Sequence, residues 1–260
     1  MTFASKPRAH FPARLPPTER PRRLTSVTSF TPPYRPPSKP QGFALDAIPA
    51  RGRMLEALAA EGLNDPETLR AMGAVDRRHF VDGALALQAY EDTALPIGWG
   101  QTISKPSVVA RMVMLLTEGG ARDPDGRLGR ILDIGTGCGY QAVVLGKIAR
   151  EVYSIERLRP LHEKARANLR PMRLKNVHLI LGDGTGGFPS GAPYAGIIAA
   201  AGGDAVPDAW IEQLDFGGRI VAPTAHGRGQ ALVVVDKTRR GISFSILEGV
   251  QFVPLKTGIS

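Results

Sequence analysis

Residues 130–140, RILDIGTGCGY, constrain the fold of this chain more than any other segment. The segment begins with the apolar residues of a buried parallel strand, continues with glycines at positions 135, 137 and 139, and leads into an apolar run typical of a helix. A glycine turn in this setting can bind a cofactor, because glycine permits positive φ and lets a ligand contact the backbone. An acid is then expected about 20 residues later, at the tip of the next strand. Glu156 stands there, after the apolar residues 152–155.

The spacing of the glycines also discriminates between cofactors. Dinucleotide-binding turns have the pattern G-x-G-x-x-G/A, whereas this turn reads G-x-G-x-G and is followed by Tyr140. That form favours S-adenosylmethionine, and Asp133, just before the turn, suits a cationic sulfonium better than an anionic pyrophosphate. The alternative is a tight strand–helix turn that binds nothing. Cys138, inside the turn, is interpreted as a small residue that fits there and not as a nucleophile.

Strand and helix patterns alternate after the turn, which predicts an α/β fold with a doubly wound, mostly parallel sheet and an antiparallel end. The predicted strands cover residues 177–181, 194–201 and 219–222, followed by a hairpin at residues 231–247. Ligands of such sheets bind at the carboxyl ends of the strands, where Asp133, Gly135, Glu156 and Asp183 are expected to meet. Asp183 can accept from an adenine amino group, or it can form an Asx turn that binds no ligand.

Residues 1–49 form a region of different composition, with 11 of the 22 prolines. Residues 1–50 also hold eight Lys/Arg against two Asp/Glu, so most of the net charge of +9 belongs to this segment. The composition predicts a disordered, partly polyproline II tail. Loose contact with an acidic partner, a non-functional extension and a start codon assigned too early all remain open. The basic balance is therefore weak evidence for nucleic-acid binding.

Residues 50–260 are predicted to form one domain, with a helical flank and active-site loop at residues 50–106 and a cofactor-binding core at residues 107–260. Within the flank, residues 64–67 carry the signals of a helix start, and residues 90–106 read as a loop around Trp99. Ser104 is a candidate N-cap for the helix that follows. A loop of this length is uncommon unless it binds something.

The remaining composition sets limits on compartment and cofactors. The single cysteine fits a reducing compartment, which predicts a cytoplasmic protein. There is no apolar run long enough to cross a membrane. The five histidines have no metal-ligand spacing, so no metal site is expected.

Several motifs, in order, resemble those of protein-L-isoaspartate O-methyltransferases: ALPIGWGQTISKP, ILDIGTGCGY, GDG, LDFGGRIVAP and GVQFVPL. The glycine turn and GDG are shared with many S-adenosylmethionine-dependent methyltransferases, whereas Q-T-I-S-x-P and GVQFVPL are specific. The resemblance begins near residue 51 and continues to residue 260. It implies methylation of the free α-carboxylate of L-isoaspartyl residues in damaged proteins and peptides, which starts repair through a succinimide.

The resemblance also implies the site. It places the active-site serine at Ser104. It places the S-adenosylmethionine site, which would release S-adenosylhomocysteine, at Gln101, Thr102, Ile103, Asp133, Gly135, Thr136, Gly137, Gly139, Glu156, Arg157, Asp183 and Gly184. The expected partners are isoaspartyl proteins and peptides, with no nucleic acid and no membrane, and the chain is expected to be a monomer.

The expected reaction agrees with the residues available. An α-carboxylate is ionised at pH 7 and needs no general base, which fits a chain without an evident catalytic histidine or lysine. Two alternatives stay open: a methyltransferase of the same fold that acts on RNA or a small molecule, and a binding protein with a vestigial pocket.

Overall fold

The computed structural model describes residues 44–260, with side chains described from residue 48 onward. The chain begins with a helical flank, made of α1 (Ala44–Ala60), α2 (Pro66–Gly73) and two 3₁₀ helices (Arg77–Phe80 and Gly83–Gln88). The carboxylate of Asp65 accepts hydrogen bonds from the backbone N (2.8 Å) and Oγ1 (2.6 Å) of Thr68, so it caps α2. The predicted helix start at residues 64–67 is therefore confirmed.

The predicted tail at residues 1–49 lies mostly outside the described residues, and the prediction of disorder there stays a prediction. Its boundary was wrong: α1 begins at Ala44, so residues 44–49 belong to a helix. The composition placed them in the tail because Pro49 follows the proline-rich segment, although Pro49 is tolerated inside α1.

The segment predicted as a loop at residues 90–106 contains a short antiparallel hairpin, β1 (Leu95–Gly98) and β2 (Gln101–Ile103). Its tip is built from positive φ angles at Gly98 (97°), Trp99 (50°) and Gly100 (69°). The loop prediction was wrong here because strands of three and four residues are too short to show a periodic pattern.

The main sheet has seven strands in the described part of the chain. They are β3 (Leu128–Ile134), β4 (Ala149–Glu156), β5 (Val177–Leu181), β6 (Tyr194–Ala199), β7 (Leu214–His226), β8 (Gly229–Thr238) and β9 (Gly241–Val250). Their spatial order is β5-β4-β3-β6-β7-β8-β9; the first five of these are parallel, and β8 and β9 pair antiparallel. The predicted doubly wound sheet with an antiparallel end is confirmed, although β7 is much longer than the predicted residues 219–222.

Both faces of the central strands of this sheet are covered, whereas β9 is largely exposed. The helices are α3 (Pro106–Gly119), α4 (Tyr140–Leu145), α5 (Arg159–Leu169) and α6 (Asp208–Gln213). Ile131 and Leu132, adjacent on β3, are both fully buried but belong to separate clusters, one with the helical flank and α3, the other with Trp210 of α6. Neighbouring strand residues point to opposite faces, so β3 supports both cores. The chain order reverses between β4 and β6 around β3, which makes the carboxyl end of β3 the topological switch point.

No helix of residues 44–260 is long and apolar enough to cross a membrane. Over the same residues, no group of three or more His, Cys, Asp and Glu side chains is placed to hold a metal ion.

Candidate active site

A cavity of about 240 Å³ opens at the switch point, beside the turn that follows β3. Its walls come from the glycine turn, the tip of β4, the hairpin β1–β2 and the C-terminal segment, which is residues 251–260 after β9. Among the predicted site residues, those that line it are Gln101, Thr102, Gly135, Gly137, Glu156, Arg157 and Gly184. The structure therefore brings together residues separated by more than 80 positions in the chain, at the sheet edge where the sequence placed them.

The three glycines of the turn have two different roles. Each has positive φ (91°, 55° and 92° at Gly135, Gly137 and Gly139), so all three bend the chain in a way that other residues adopt at a cost. Gly135 and Gly137 border the cavity, but Gly139 faces α5, where an added Cβ would lie 2.5 Å from Leu169 Cδ1. The prediction that Gly139 contacts the cofactor stays a prediction; the structure shows that this glycine allows α4 and α5 to pack closely.

Glu156 fixes the turn from the neighbouring strand. Its Oε2 accepts from Gly137 N and its Oε1 from Leu158 N, both at 2.9 Å, and the side chain is buried (5% exposed) at the cavity wall. Each carboxylate oxygen keeps a further lone pair, so two more donors can be accepted from the cavity side. Paired ribose hydroxyls are donors of this kind.

Asp133 lies behind the turn and not in the cavity. Its side chain is fully buried; Oδ1 accepts from Gln141 Nε2 (2.8 Å) and Oδ2 from Ser154 Oγ (2.7 Å). Ser154 Oγ also lies 2.6 Å from Thr136 Oγ1, so the hydroxyl of Thr136 is engaged in the same network. Burial raises the pKa of Asp133 to about 6. The predicted contacts of Asp133 and Thr136 with the cofactor stay predictions; in this structure both side chains bond to the chain itself.

Asp183 is engaged by the chain on both oxygens. Oδ1 accepts from Thr185 N (2.8 Å) and Oγ1 (2.7 Å), and Oδ2 accepts from Gly258 N (2.6 Å). Burial acts to raise the pKa of Asp183, but the hydrogen bonds from Gly258 and Thr185 outweigh it and the pKa is lowered. The Asx-turn alternative thus describes Asp183 as the structure has it, and its backbone neighbour Gly184, not Asp183, lines the cavity.

The C-terminal segment closes one side of the cavity. Gly202 N donates to Val253 O (2.9 Å) and Leu255 N donates to Gly202 O (2.7 Å). Arg157 Nε donates to Gly258 O at 2.9 Å. Beyond these, Ser260 pairs with the backbone of Arg157 and Arg159. The sequence interpretation assigned no site residue to this segment, although GVQFVPL at its start is one of its more specific motifs.

Ser104 lies between the cavity and a larger groove. It borders a small void of about 40 Å³ shared with Gly135, Gly137 and Ile103, and it also lines a groove of about 950 Å³. The opposite wall of that groove is formed by the end of β9 and residues 250–253. Ile103, the last residue of β2, is buried (4% exposed) and borders this void, not the cavity of about 240 Å³.

The N-cap interpretation of Ser104 was wrong. Helix α3 begins at Pro106 with Lys105 at the cap position and no side-chain cap from Ser104, and one backbone donor of its first turn, Ser107 N, bonds to Asp92. Asp92 Oδ1 accepts from Ser107 N (2.7 Å) and Oδ2 from Ser107 Oγ (2.8 Å). The hydroxyl of Ser104 is therefore not needed to cap α3.

A protein-family model described as "Protein-L-isoaspartate(D-aspartate) O-methyltransferase (PCMT)" matches residues 50–260. A protein-L-isoaspartate O-methyltransferase of Methylibium petroleiphilum is 57% identical over 222 residues, which are 84% of this chain and 81% of that protein. One of Leptothrix cholodnii is 55% identical over 222 residues, 84% of this chain and 77% of that protein.

Solved structures agree in fold. One named protein-L-isoaspartate O-methyltransferase superposes with a TM-score of 0.70 at 26% identity, covering 80% of this chain and 67% of that chain. A putative protein-L-isoaspartate O-methyltransferase from Plasmodium falciparum, in complex with S-adenosyl-L-homocysteine, gives a TM-score of 0.66 at 24% identity. The match covers 79% of this chain and 98% of that chain.

Proposed function

The chain belongs to the protein-L-isoaspartate(D-aspartate) O-methyltransferase family, and from this we infer that it methylates the free α-carboxylate of L-isoaspartyl residues in damaged proteins and peptides. The donor is S-adenosylmethionine and the product is S-adenosylhomocysteine. The methyl ester of the substrate then closes to a succinimide with loss of methanol. Hydrolysis of that ring returns part of the residues to normal aspartate, which is a repair reaction.

The position of Ser104 is the observation that carries this proposal. Ser104 borders the void beside the glycine turn and also the groove beyond it. A group held at Ser104 can therefore reach from a peptide-sized groove of about 950 Å³ toward the cofactor turn. No other residue of the predicted site except Thr102 lines both spaces.

Three features of the cavity support cofactor binding there. Gly135 and Gly137 present backbone without side chains, and Glu156 offers free lone pairs to two hydroxyl donors. We assign the ribose to Glu156, and further contacts to Gln101, Thr102, Arg157 and Gly184. When bound, S-adenosylmethionine supplies a methyl group on a cationic sulfur. Asp183 Oδ2 already accepts a hydrogen bond from Gly258 N. To bind adenine, Oδ2 would have to accept a second hydrogen bond or lose the one from Gly258.

The residues around Ser104 have to orient the substrate and need not activate it. The α-carboxylate has a pKa of about 3.5 and is already an anion at pH 7. A carboxylate oxygen forms the new bond to the methyl carbon as the carbon–sulfur bond breaks, and no proton is transferred in that step. Orientation of two reactants can lower a barrier by about 7–11 kcal/mol. We propose that the Ser104 hydroxyl donates a hydrogen bond to the carboxylate and aligns it.

We propose further that the enzyme acts as a monomer in the cytoplasm on proteins and peptides and does not act on nucleic acid. A single cysteine, buried at Cys138, supports a reducing compartment. The concentration of positive charge in residues 1–50, outside the methyltransferase domain, supports the absence of a nucleic-acid surface on that domain.

A transfer assay tests the proposal. The purified chain and labelled S-adenosylmethionine are incubated with an isoaspartyl peptide, the same peptide with normal aspartate, and bulk RNA. We expect base-labile label in the isoaspartyl peptide alone, since a methyl ester hydrolyses in mild base. Label in RNA with none in the isoaspartyl peptide would support the alternative of an RNA methyltransferase and refute the proposal.

A further inference from the structure

Arg77 is a fully buried cation (0% exposed) in the 3₁₀ helix Arg77–Phe80 of the helical flank. Its Nη2 donates to the backbone carbonyl of Ser104 at 2.6 Å, and its guanidinium lies over the ring of Tyr140, 4.8 Å from the ring centroid. Tyr140 is the first residue of α4, directly after the glycine turn. One side chain therefore touches both the Ser104 backbone and the helix that the cofactor turn begins.

This arrangement is a poor way to gain stability. Burying a guanidinium carries a large desolvation cost unless its donors are satisfied, and burial lowers the pKa of Arg77. Nε and Nη1 of Arg77 are buried and make no hydrogen bond to the part of the chain that the structure describes. An aliphatic side chain would fill the same space without that cost. The gains specific to the guanidinium are its contact with the Tyr140 ring and the fixed position of the Ser104 carbonyl.

A second buried cation bonds to the backbone of the hairpin β1–β2, which directly precedes Ser104. Lys164 of α5 is 4% exposed, and its Nζ donates to the carbonyl of Ile97 at 2.8 Å and lies 3.4 Å from Asp82 Oδ1. Ile97 lies at the end of β1, next to the tip residues Gly98, Trp99 and Gly100, and lines the cofactor cavity. Arg77 and Lys164 thus bond to carbonyls on either side of the tip.

The hairpin needs such anchors. Its strands have four and three residues, and two-stranded hairpins of this size are marginal by themselves. Its tip also contains a non-glycine residue at positive φ, Trp99, which adds strain. Hydrogen bonds from cationic donors are about twice as strong as those between neutral groups. They therefore hold the accepting carbonyl more firmly in one position.

We propose that Arg77 and Lys164 are positioning residues with separate effects: Arg77 sets Ser104 against the cofactor turn, and Lys164 sets the hairpin tip over the cofactor cavity. The inference rests on the proposed function, because it assigns Ser104 to the substrate. Loss of Arg77 should therefore affect turnover, and loss of Lys164 should affect cofactor affinity.

The experiment compares Arg77→Met, Lys164→Met and the control Arg219→Met. Arg219 is also largely buried and bonds Asp236 (2.7 and 3.0 Å) and the carbonyl of Leu115 (2.9 Å), away from the site. Calorimetry gives the Kd for S-adenosylhomocysteine, initial rates on an isoaspartyl peptide give kcat and KM, and thermal melting gives Tm.

We expect Arg77→Met to lower kcat by about 10- to 100-fold, since a misplacement of about 1 Å can cost that much, with the Kd changed less than about threefold. Lys164→Met should raise the Kd about tenfold, with a smaller change in kcat at saturating cofactor. Arg219→Met should lower Tm with kcat and Kd unchanged. If the changes in kcat and Kd among the three variants are simply proportional to their loss of Tm, the proposal is wrong.

A double-mutant cycle separates positioning from plain stabilisation. If Arg77 acts through Ser104, Arg77→Met should cost little further kcat in the Ser104→Ala background, whereas Lys164→Met should cost as much there as in the wild type. Additive losses for Arg77 and Ser104 would overturn the proposal. If Arg77→Met does not fold, Arg77→Lys replaces it, because lysine keeps the charge but not the planar fork. A folded Arg77→Lys enzyme with wild-type kcat would also overturn it.

The Kd for S-adenosylhomocysteine can be measured whether or not isoaspartyl peptides are the substrate. If the wild-type enzyme binds S-adenosylhomocysteine but does not methylate isoaspartyl peptide, the proposed function fails, and the Lys164 prediction is still tested by calorimetry. If the wild type is active and the cycle is additive, the positioning proposal fails alone.

Discussion

The carboxylate of Glu156 accepts a hydrogen bond from the backbone N–H of Gly137 at 2.9 Å, so the tip of β4 holds the glycine turn that follows β3. The same carboxylate lines the cofactor cavity. One side chain therefore shapes the turn and faces the ligand that the turn is expected to bind.

Replacing Glu156 by alanine should raise the Kd for S-adenosylhomocysteine at least about tenfold, because hydrogen bonds to a charged group are worth about 1.5–3 kcal/mol each. The Kd of Glu156→Gln, which keeps one acceptor oxygen, should lie between those of the wild type and Glu156→Ala. Calorimetry measures both. The matched control is Glu151→Gln on the same strand, whose partner is Arg130 at 3.2 Å and which lies away from the cavity. Equal affinities for wild type and Glu156→Ala would mean that Glu156 only holds the turn.

Ser104→Ala should lower kcat/KM on an isoaspartyl peptide by about 10- to 1,000-fold, from the loss of a hydrogen bond worth roughly 1.5–3 kcal/mol and from misalignment. Tm should hardly change, because Asp92 caps α3. Ser104→Asp should be less active than Ser104→Ala, since it places one carboxylate against another. The control is Ser107→Ala, which removes one side-chain hydrogen bond to Asp92 and should cost about 1 kcal/mol of stability with turnover retained. An active, stable Ser104→Asp enzyme would falsify the assignment of Ser104 to the substrate.

Asp133 should make stability depend on pH in a defined direction. Its pKa in the folded protein, about 6, lies above its value of about 3.9 in an unfolded chain. Its contribution to stability is therefore fully present below about pH 4 and lost as pH rises through 6. Asp133→Asn does not titrate, so its free energy of unfolding relative to wild type should rise between pH 4.5 and 7.5, by at most about 3 kcal/mol. Urea unfolding at both pH values measures the difference, and a constant difference would contradict the raised pKa.

The N-terminal segment gives a prediction with a built-in comparison. Deleting residues 1–43 should leave Tm and activity on a short isoaspartyl peptide nearly unchanged, since the composition of that segment predicts disorder. Deleting residues 1–49 also removes the first six residues of α1, and a shortened helix is less stable, so Tm should fall. A large loss of activity in the shorter deletion would show that the segment has a function in the domain.

Local patterns predicted the parts of the site that are built locally. The strand, the glycine turn and the acid at the next strand tip lie within 27 residues, and together they predicted Gly135, Gly137 and Glu156 at the cavity. The sequence did not predict the hydrogen-bond partners of Asp133 and Asp183. An acidic residue at a strand tip gives the same local pattern whether it faces a ligand or, as here, accepts from Ser154 or Gly258.

Contacts between distant segments account for the other differences. The cap of α3 comes from Asp92, which is 15 residues before Ser107, and the anchor of Ile97 comes from Lys164, 67 residues away. Neither Arg77 nor Lys164 differs in sequence from an ordinary surface cation. Only the tertiary structure shows that both are buried against backbone carbonyls.

The two tryptophans of the chain give the cavity its own optical reporter. Trp99 is 47% exposed at the hairpin tip and lines the cavity, whereas Trp210 is 1% exposed and its indole N–H donates to Gly184 O at 2.9 Å. Solvent quenchers should reach the first indole and not the second. Fluorescence of a Trp210→Phe protein would therefore follow filling of the cleft in solution, without label and in real time.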